Sequence, residues 1–550
     1  MAKSPKLSGI IVIFTPCLNL HSVHLPTFRA AIDSGAATVM SSFNDLNGYP
    51  ASGRKDILDG LLRQEWGFEG LVVSDWNSIG ELVPHGVASD LKDASEISFD
   101  AGVDVDMAAG GYCAHLDEMI EAGTISMERL DQAVARILRL KFLKGLFDGD
   151  PLRFHNQERE QQEVLSAANQ NAARELVRKS LVLLKNEKKH LPLSKNIQKL
   201  AVIGPMGNNP DDMLGEWRAE GKPEDTVTLI DGIRAKLGSD AEVLYARGAG
   251  FTSLDKSGFD EAYQIASQSD VIVLAIGESA AMTGEAHSRA HIGIPGVQED
   301  LIEHLKPLGK PMVVVLFNGR PLVLNRLVSL SDTILEAWLP GTQGGHGIAD
   351  VLFGDYNPAG KLTMSFPYAV GQIPVYYAQK NTGRPDTDSS HRYKSRYIDI
   401  PNTPLFPFGY GLSYTEFNFG SISADKLKFQ GSETITFKFA LSNMGAYDGE
   451  EVVQFYIRDL VASVTRPIKE LIGFQKVFVK SGETKLVEFT LKKEHLQFID
   501  LDLKPTVEPG KFNIMVGPNS SDLQVVPIEY LGEAPKQEES AIQEAVHDEA

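Results

Sequence analysis

Along the first 150 residues the apolar positions switch between two periods. Leu25, Phe28 and Ile32 share one helical face and stop at Gly35, while Thr38 to Phe43 alternates like a strand and runs into the polar turn Asn44–Gly48. Ile57, Leu58, Leu61, Leu62 and Trp66 make the next amphipathic helix. Leu71, Val72 and Val73 then form an uninterrupted apolar run, the kind a strand buried on both faces needs. A helix around 90–101, a third strand over Val103–Met107 and a helical pair over 115–146 follow. Three strand–helix units in a row predict a parallel α/β structure. A closed eight-stranded barrel takes about 250 residues, so this segment is expected to be part of one.

Beyond a polar loop at 151–160, a helix beginning at Ala168 runs into an apolar stretch ending at Leu184. The runs Leu200–Gly204, Val271–Gly277, Met312–Phe317 and Ile334–Trp338 read as strands of the buried parallel type. They predict a second α/β domain over 160–370, a sheet with helices on both faces. Residues 371–420 connect it to a region of different character. From about 421 short alternating strands dominate, at 434–439, 452–457, 485–489 and 511–516, separated by turn signals such as Ser481-Gly482 and Pro509-Gly510. That spacing predicts an antiparallel β-sandwich of fibronectin type III size over 421–532. Residues 533–550 are acidic and aperiodic and are expected to be a disordered tail. The fold class is multidomain α/β plus all-β.

Composition narrows the partners. A formal charge of −20 over 550 residues argues against nucleic acid or anionic membrane surfaces, which need a basic footprint. The two cysteines, Cys17 and Cys113, make no disulfide framework or metal-ligand spacing. No apolar run is long enough to cross a bilayer. Residues 1–24 stand apart. Lys3 and Lys6 precede a short apolar run, Leu7 to Phe14, but no small-residue cleavage site follows, so the segment makes a poor export signal.

Candidate chemistry concentrates where the run Leu71–Val73 ends in Ser74-Asp75-Trp76. In barrels of alternating strands and helices, catalytic groups stand at this end of the strands. A carboxylate can attack an anomeric carbon, and an indole can stack on the C–H face of a sugar. The plainer reading is that Asp75 caps a following helix. Gly204-Pro205-Met206-Gly207 after a strand lacks the rest of a dinucleotide fingerprint. His287 and His291 have the spacing of a zinc helix without its glutamate, and Pro295 favours a loop, so neither metal nor cofactor is expected.

Several ordered stretches carry a family resemblance. They are Gly35–Ser41 with Phe43-Asn44, Gly67–Trp76, Gly102–Met107, Asn318–Pro321, Gly354–Leu362 and Pro407–Tyr414. Together, from about Leu25 to Pro527, they resemble family 3 glycoside hydrolases, in particular the bacterial periplasmic β-glucosidase branch. The resemblance implies the C-terminal part of a (β/α)8 barrel over 25–150, an α/β sandwich over 160–370 and a fibronectin type III-like domain over 421–532. It implies a retaining, exo-acting β-glucosidase that releases glucose from the non-reducing end of small glycosides or oligosaccharides. Asp75 matches the nucleophile, with Trp76 and Met40 beside the sugar. Glu285, in the loop Met282–Arg289, matches the acid/base, and Glu81, six residues beyond Asp75, is the alternative.

The family's early barrel segments, with their Lys-His-Phe and Gly-Arg-Asp-Tyr motifs, have no counterpart in residues 1–24, which do not match. About five of the eight strands are thus unaccounted for, and slow or absent hydrolysis by this polypeptide is expected. The branch implies a periplasmic or secreted enzyme, whereas the poor signal predicts cytoplasmic retention of the chain as written. A homodimer is left open. The competing readings are a non-catalytic carbohydrate-binding or scaffold fragment, or a related β-xylosidase or N-acetylglucosaminidase.

Overall fold

In the computed structural model, which describes residues 17–150, 155–385 and 392–533, strands β1 (Thr38–Ser41) and β2 (Leu71–Ser74) pair in parallel, Ser41 opposite Ser74. They belong to a unit that gathers the chain up to Gln162 together with the much later segment Phe498–Thr506. Helical segments Leu25–Asp33 and Asp56–Glu65 alternate with the two strands, the second with π-type turns. Helices Leu91–Ala101, Gly111–Ala122 and Met127–Leu143 follow. Asp90 starts the first of these by accepting the Asp93 amide, and Gly102, at φ +117°, ends it. Leu58, Leu62, Phe68, Val72, Ile79, Phe99 and Met119 form the core. Among the described residues the free edge of β1 has no strand partner.

The expected third strand over Val103–Met107 is not one. It lies beside β2 and makes a single bridge, Val73 with Val105. The reason is Asp104, whose side chain turns inward. One carboxylate oxygen accepts the Val72 amide at 2.9 Å and Arg63 at 2.6 Å, and the other accepts Arg136 at 2.8 Å. A side chain takes the place of a ladder bond, so β2 is held by a buried ion triad on that flank.

The other unit comprises Glu163–Gln497 and the chain from Val507 on. Its sheet has six strands, β3 (Val182–Asn186), β4 (Lys199–Ile203), β5 (Glu242–Ala246), β6 (Val271–Gly277), β7 (Met312–Phe317) and β8 (Thr333–Glu336). The order is β3-β8-β7-β6-β4-β5, parallel throughout except β3. All seven residues of β6 are buried, as the continuous apolar run requires. Alternate residues feed two cores. Val273 and Ala275 face helices Ala167–Ser180, Leu229–Leu237 and Gly344–Leu352, while Ile272 and Leu274 face Phe259–Gln268, Gln298–Leu305 and Asn325–Leu330. The sheet therefore carries helices on both faces. The apolar spacing does not reveal β5, whose three central residues are only half-buried, and the apolar stretch ending at Leu184 is where β3 begins.

In the same unit, two antiparallel-based sheets enclose Phe437, Phe439, Phe455 and Ile514. One contains Ile435–Asn443 and Thr484–Leu491, the other Gly449–Asp459, Glu470–Val479, Gly510–Gly517 and Gln524–Tyr530. This is the expected β-sandwich, with two further long strands, Glu470–Val479 and Gln524–Tyr530, and three short ones, Phe417–Phe419, Ser423–Ala424 and Lys428–Phe429. Pro527 interrupts the apolar pattern of the last strand, and Gly473, Gln475 and Lys476 dilute that of Glu470–Val479. The acidic tail from residue 534 and residues 1–16 lie outside the described residues.

Candidate active site

Asp75 stands one residue past β2, at its C-terminal end. Its backbone is fixed on both sides. Its amide donates to the Ser41 carbonyl at 3.1 Å, continuing the parallel ladder, and its carbonyl accepts the Ser78 amide at 3.1 Å and the Ser74 hydroxyl at 2.9 Å. The turn is closed by Asn77, which adopts φ +58° and donates its amide to the Met107 carbonyl at 2.7 Å. Behind it runs a buried chain of hydroxyls, Ser41 to Ser52 and Ser52 to Ser78, each 2.8 Å apart. Asp75 caps no helix, since the next helical turn starts at Gly80. Its Oδ1 instead accepts the Trp76 amide at 2.6 Å.

Trp76 is 69% and Met40 51% exposed. Two large apolar side chains thus stand exposed near the C-terminal ends of neighbouring strands. Glu81 lies half-buried on the turn Gly80–Leu82, its amide bonded to the Asn77 carbonyl at 3.0 Å. A cavity of about 320 Å³ opens beneath β1, lined by Met40 and Ser41 but otherwise largely by apolar groups such as Leu25, Phe28, Leu61 and Trp66. Asp75 does not line it, and His24, Ser42 and Asn44 are the few other polar side chains in its walls.

Glu285 is exposed, on a loop of the second unit between β6 and helix Gln298–Leu305. The backbone on either side is left-handed, Gly284 at φ +130° and Ala286 at φ +59°. Such conformations persist at non-glycine positions only where surrounding contacts impose them. Here the contacts come from groups that stand at the ends of β6 and β7. Glu278, fully buried, pairs with Arg289 and lies 3.3 Å from Arg320 Nε. Arg320 donates to the carbonyls of Met282 and His287, the latter at 2.9 Å. Arg289 donates to the Gly293 carbonyl at 3.0 Å. His287 and His291 lie in this loop, not on a helix, and among the described residues no three His, Cys, Asp or Glu side chains gather as metal ligands would.

Nearby, Glu336 is buried at the end of β8. Burial drives its carboxyl well above the usual range, against the pull of the Trp338 amide and of Asn318, and the Glu278 charge adds to the rise. Sequence reasoning missed Glu278, Arg320 and Glu336. The signal was present, because Glu278 and Asn318-Gly319-Arg320 end apolar runs just as Asp75 does.

Residues 9–140 match the Glycosyl hydrolase family 3 N terminal domain, 181–414 the family's C-terminal domain and 451–520 a fibronectin type III-like domain. The periplasmic beta-glucosidase of Salmonella typhimurium is 42% identical over 538 residues, covering 93% of this chain and 70% of the relative. The chain belongs to glycosyl hydrolase family 3. A beta-xylosidase of Formosa agariphila, 40% identical, covers 92% of the chain and is itself covered to 71%. Among solved structures, the beta-glucosidase of Listeria innocua in complex with isofagomine superposes with a TM-score of 0.91 at 38% identity, covering 95% of this chain and 72% of its own. The family match begins at residue 9, within the 1–24 segment set apart on sequence.

Proposed function

We propose that the chain is a retaining β-glucosidase acting on small glycosides from the non-reducing end. The observation that carries this is the carboxylate of Asp75 at the C-terminal end of β2 with the exposed Trp76 beside it, in a chain 42% identical to a beta-glucosidase. Asp75 attacks the anomeric carbon as the glycosidic bond breaks, giving a covalent glycosyl-enzyme. Glu285 donates its proton to the departing oxygen, then as carboxylate takes one from the water that hydrolyses the intermediate. Two inversions leave the product with the substrate's configuration. The chemistry requires the two carboxyl groups about 5–5.5 Å apart. Glu285 is exposed on its loop and so is open to an incoming glycoside. Glu81, on the same unit as Asp75, is the alternative acid.

The test is hydrolysis of a nitrophenyl β-glucoside by the purified protein, with the anomer of the first-formed sugar read by NMR. Turnover giving β-glucose first, abolished by Asp75→Ala, supports the reading. Turnover that survives Asp75→Ala, or α-glucose as first product, overturns it. The 40% identity to a beta-xylosidase supports a second reading, in which the preferred sugar lacks the hydroxymethyl group. The ratio of kcat/KM on the matched glucoside and xyloside decides between them. We place its site of action in the periplasm or outside the cell, on the strength of the Salmonella relative. Fractionation of the native host tests this.

A further inference from the structure

The buried polar cluster at the ends of β6 and β7 is larger than the fold needs. Glu278 is fully buried, and the arginines that meet it keep only 16% and 20% of their side-chain surface. Taking such charges out of water is costly, and a well-packed apolar core would serve stability as well or better. The arrangement nevertheless has a clear direction. One carboxylate gathers two guanidinium groups, and their remaining donors go to three backbone carbonyls, those of Met282, His287 and Gly293. Met282 and His287 bracket Glu285. The Gly319 amide, 3.4 Å from Glu278 Oε2, orients the carboxylate. Gly319 itself must be glycine here, because a Cβ would stand 2.1 Å from Thr283 Oγ1, directly beneath the loop.

On the far side, Gln298, also fully buried, bonds both backbone groups of Gly277 at 2.9 Å and the Pro295 carbonyl at 3.0 Å. The loop is thus tied at both roots and at both shoulders of the residue it carries. Its left-handed turn at Ala286 is the backbone geometry that these ties impose. Glu336, at the end of β8, accepts the Trp338 amide at 3.0 Å and, among the described residues, no arginine.

We propose that Glu278 is a positioning residue for proton transfer. Through Arg320 and Arg289 it holds the loop so that the Glu285 carboxyl is presented in one orientation. The inference rests on the reading of Glu285 as acid/base. A misplacement of about 1 Å in a reacting group costs on the order of 100-fold in rate, so a loosened loop should act like a partial loss of the acid.

Two measurements on the full chain test it. The first needs no turnover. In Glu278→Gln, amides of 282–293 should exchange with deuterium at least about 10-fold faster than in the wild type, while those of β6 keep their protection. Unchanged exchange in the loop overturns the proposal. If β6 also loses protection, Arg320→Lys replaces it as the probe, since it leaves Glu278 paired with Arg289 but cannot reach two carbonyls at once. The second compares dinitrophenyl β-glucoside, whose leaving group needs no proton, with methyl β-glucoside, whose leaving group does. Glu285→Ala should raise the ratio of their kcat values by about 100-fold or more, and Glu278→Gln should raise it by about 10-fold with KM little changed. An equal loss on both substrates in Glu278→Gln would mean that the cluster only braces the fold. If Glu285→Ala leaves the ratio unchanged, the acid/base reading fails instead, and the exchange result alone decides whether Glu278 holds the loop.

Discussion

The Met107 amide donates to the Ser74 hydroxyl at 2.8 Å, and that hydroxyl donates onward to the Asp75 carbonyl at 2.9 Å. One buried side chain therefore couples the loop after Asp104 to the strand end that presents Asp75. Replacement by alanine orphans the Met107 amide and leaves the Asp75 carbonyl with the Ser78 amide alone. Ser74→Ala should cost about 1–3 kcal/mol of stability and lower kcat more than it changes KM. Denaturant unfolding and steady-state kinetics on an aryl glucoside check both.

Asp104 should be far less replaceable. Its side chain is wholly buried between Arg63 and Arg136, and removing one member of such a triad leaves uncompensated charge. Asp104→Ala should cost about 3–5 kcal/mol and open the first unit to protease, while helices and sheet of the second stay intact. Limited proteolysis with mass mapping reads the difference.

At the second unit the sensitive point is Gly319. A methyl group there meets Thr283 Oγ1 at 2.1 Å, with the Thr283 methyl at 2.9 Å. Gly319→Ala should shift the Glu285 loop and reduce hydrolysis of substrates with poor leaving groups by about 100-fold, for a stability cost of about 1–3 kcal/mol. Gly371→Ala, where φ is not positive and a Cβ would meet nothing within 4 Å, is the control for adding a methyl group alone.

Glu336 gives a pH dependence of definite sign. Its folded carboxyl is raised well above the ordinary value by burial, so the folded protein keeps a proton that the unfolded chain releases near pH 4.3. Its contribution to stability is fully present below that pH and is lost as pH rises toward the folded value. Glu336→Gln cannot titrate. Measured by urea unfolding, the stability of the wild type relative to this variant should therefore fall as the pH rises above about 4.3. A difference that does not vary with pH would show that Glu336 is charged in the folded protein.

How much of this was legible in the sequence differs from place to place. The strands that emerge in β6 and β7 announced themselves because burial on both faces demands unbroken apolar runs. Asp75 stood out because a carboxylate ends such a run. The irregular path of Val103–Met107 did not, because its apolar spacing is that of a strand and only the inward turn of Asp104 breaks the ladder. The grip on the Glu285 loop was illegible for another reason. Glu278 and Arg320 lie more than forty positions apart, and what relates them is the neighbouring of β6 and β7 in the sheet.

Finally, the segment Phe498–Thr506 belongs with the first unit although it follows Gln162 by about 340 residues. Ribosomes add about 5–20 residues per second, so for roughly 20–70 s of synthesis the first unit exists without the two-stranded ladder Phe498–Ile499 with Pro505–Thr506. The unit that bears Asp75 thus gains its last segment only after most of the second unit has been made. Its assembly is therefore timed by the emergence of the β-sandwich, and a ribosome stalled before residue 498 would hold Asp75 on an unfinished unit.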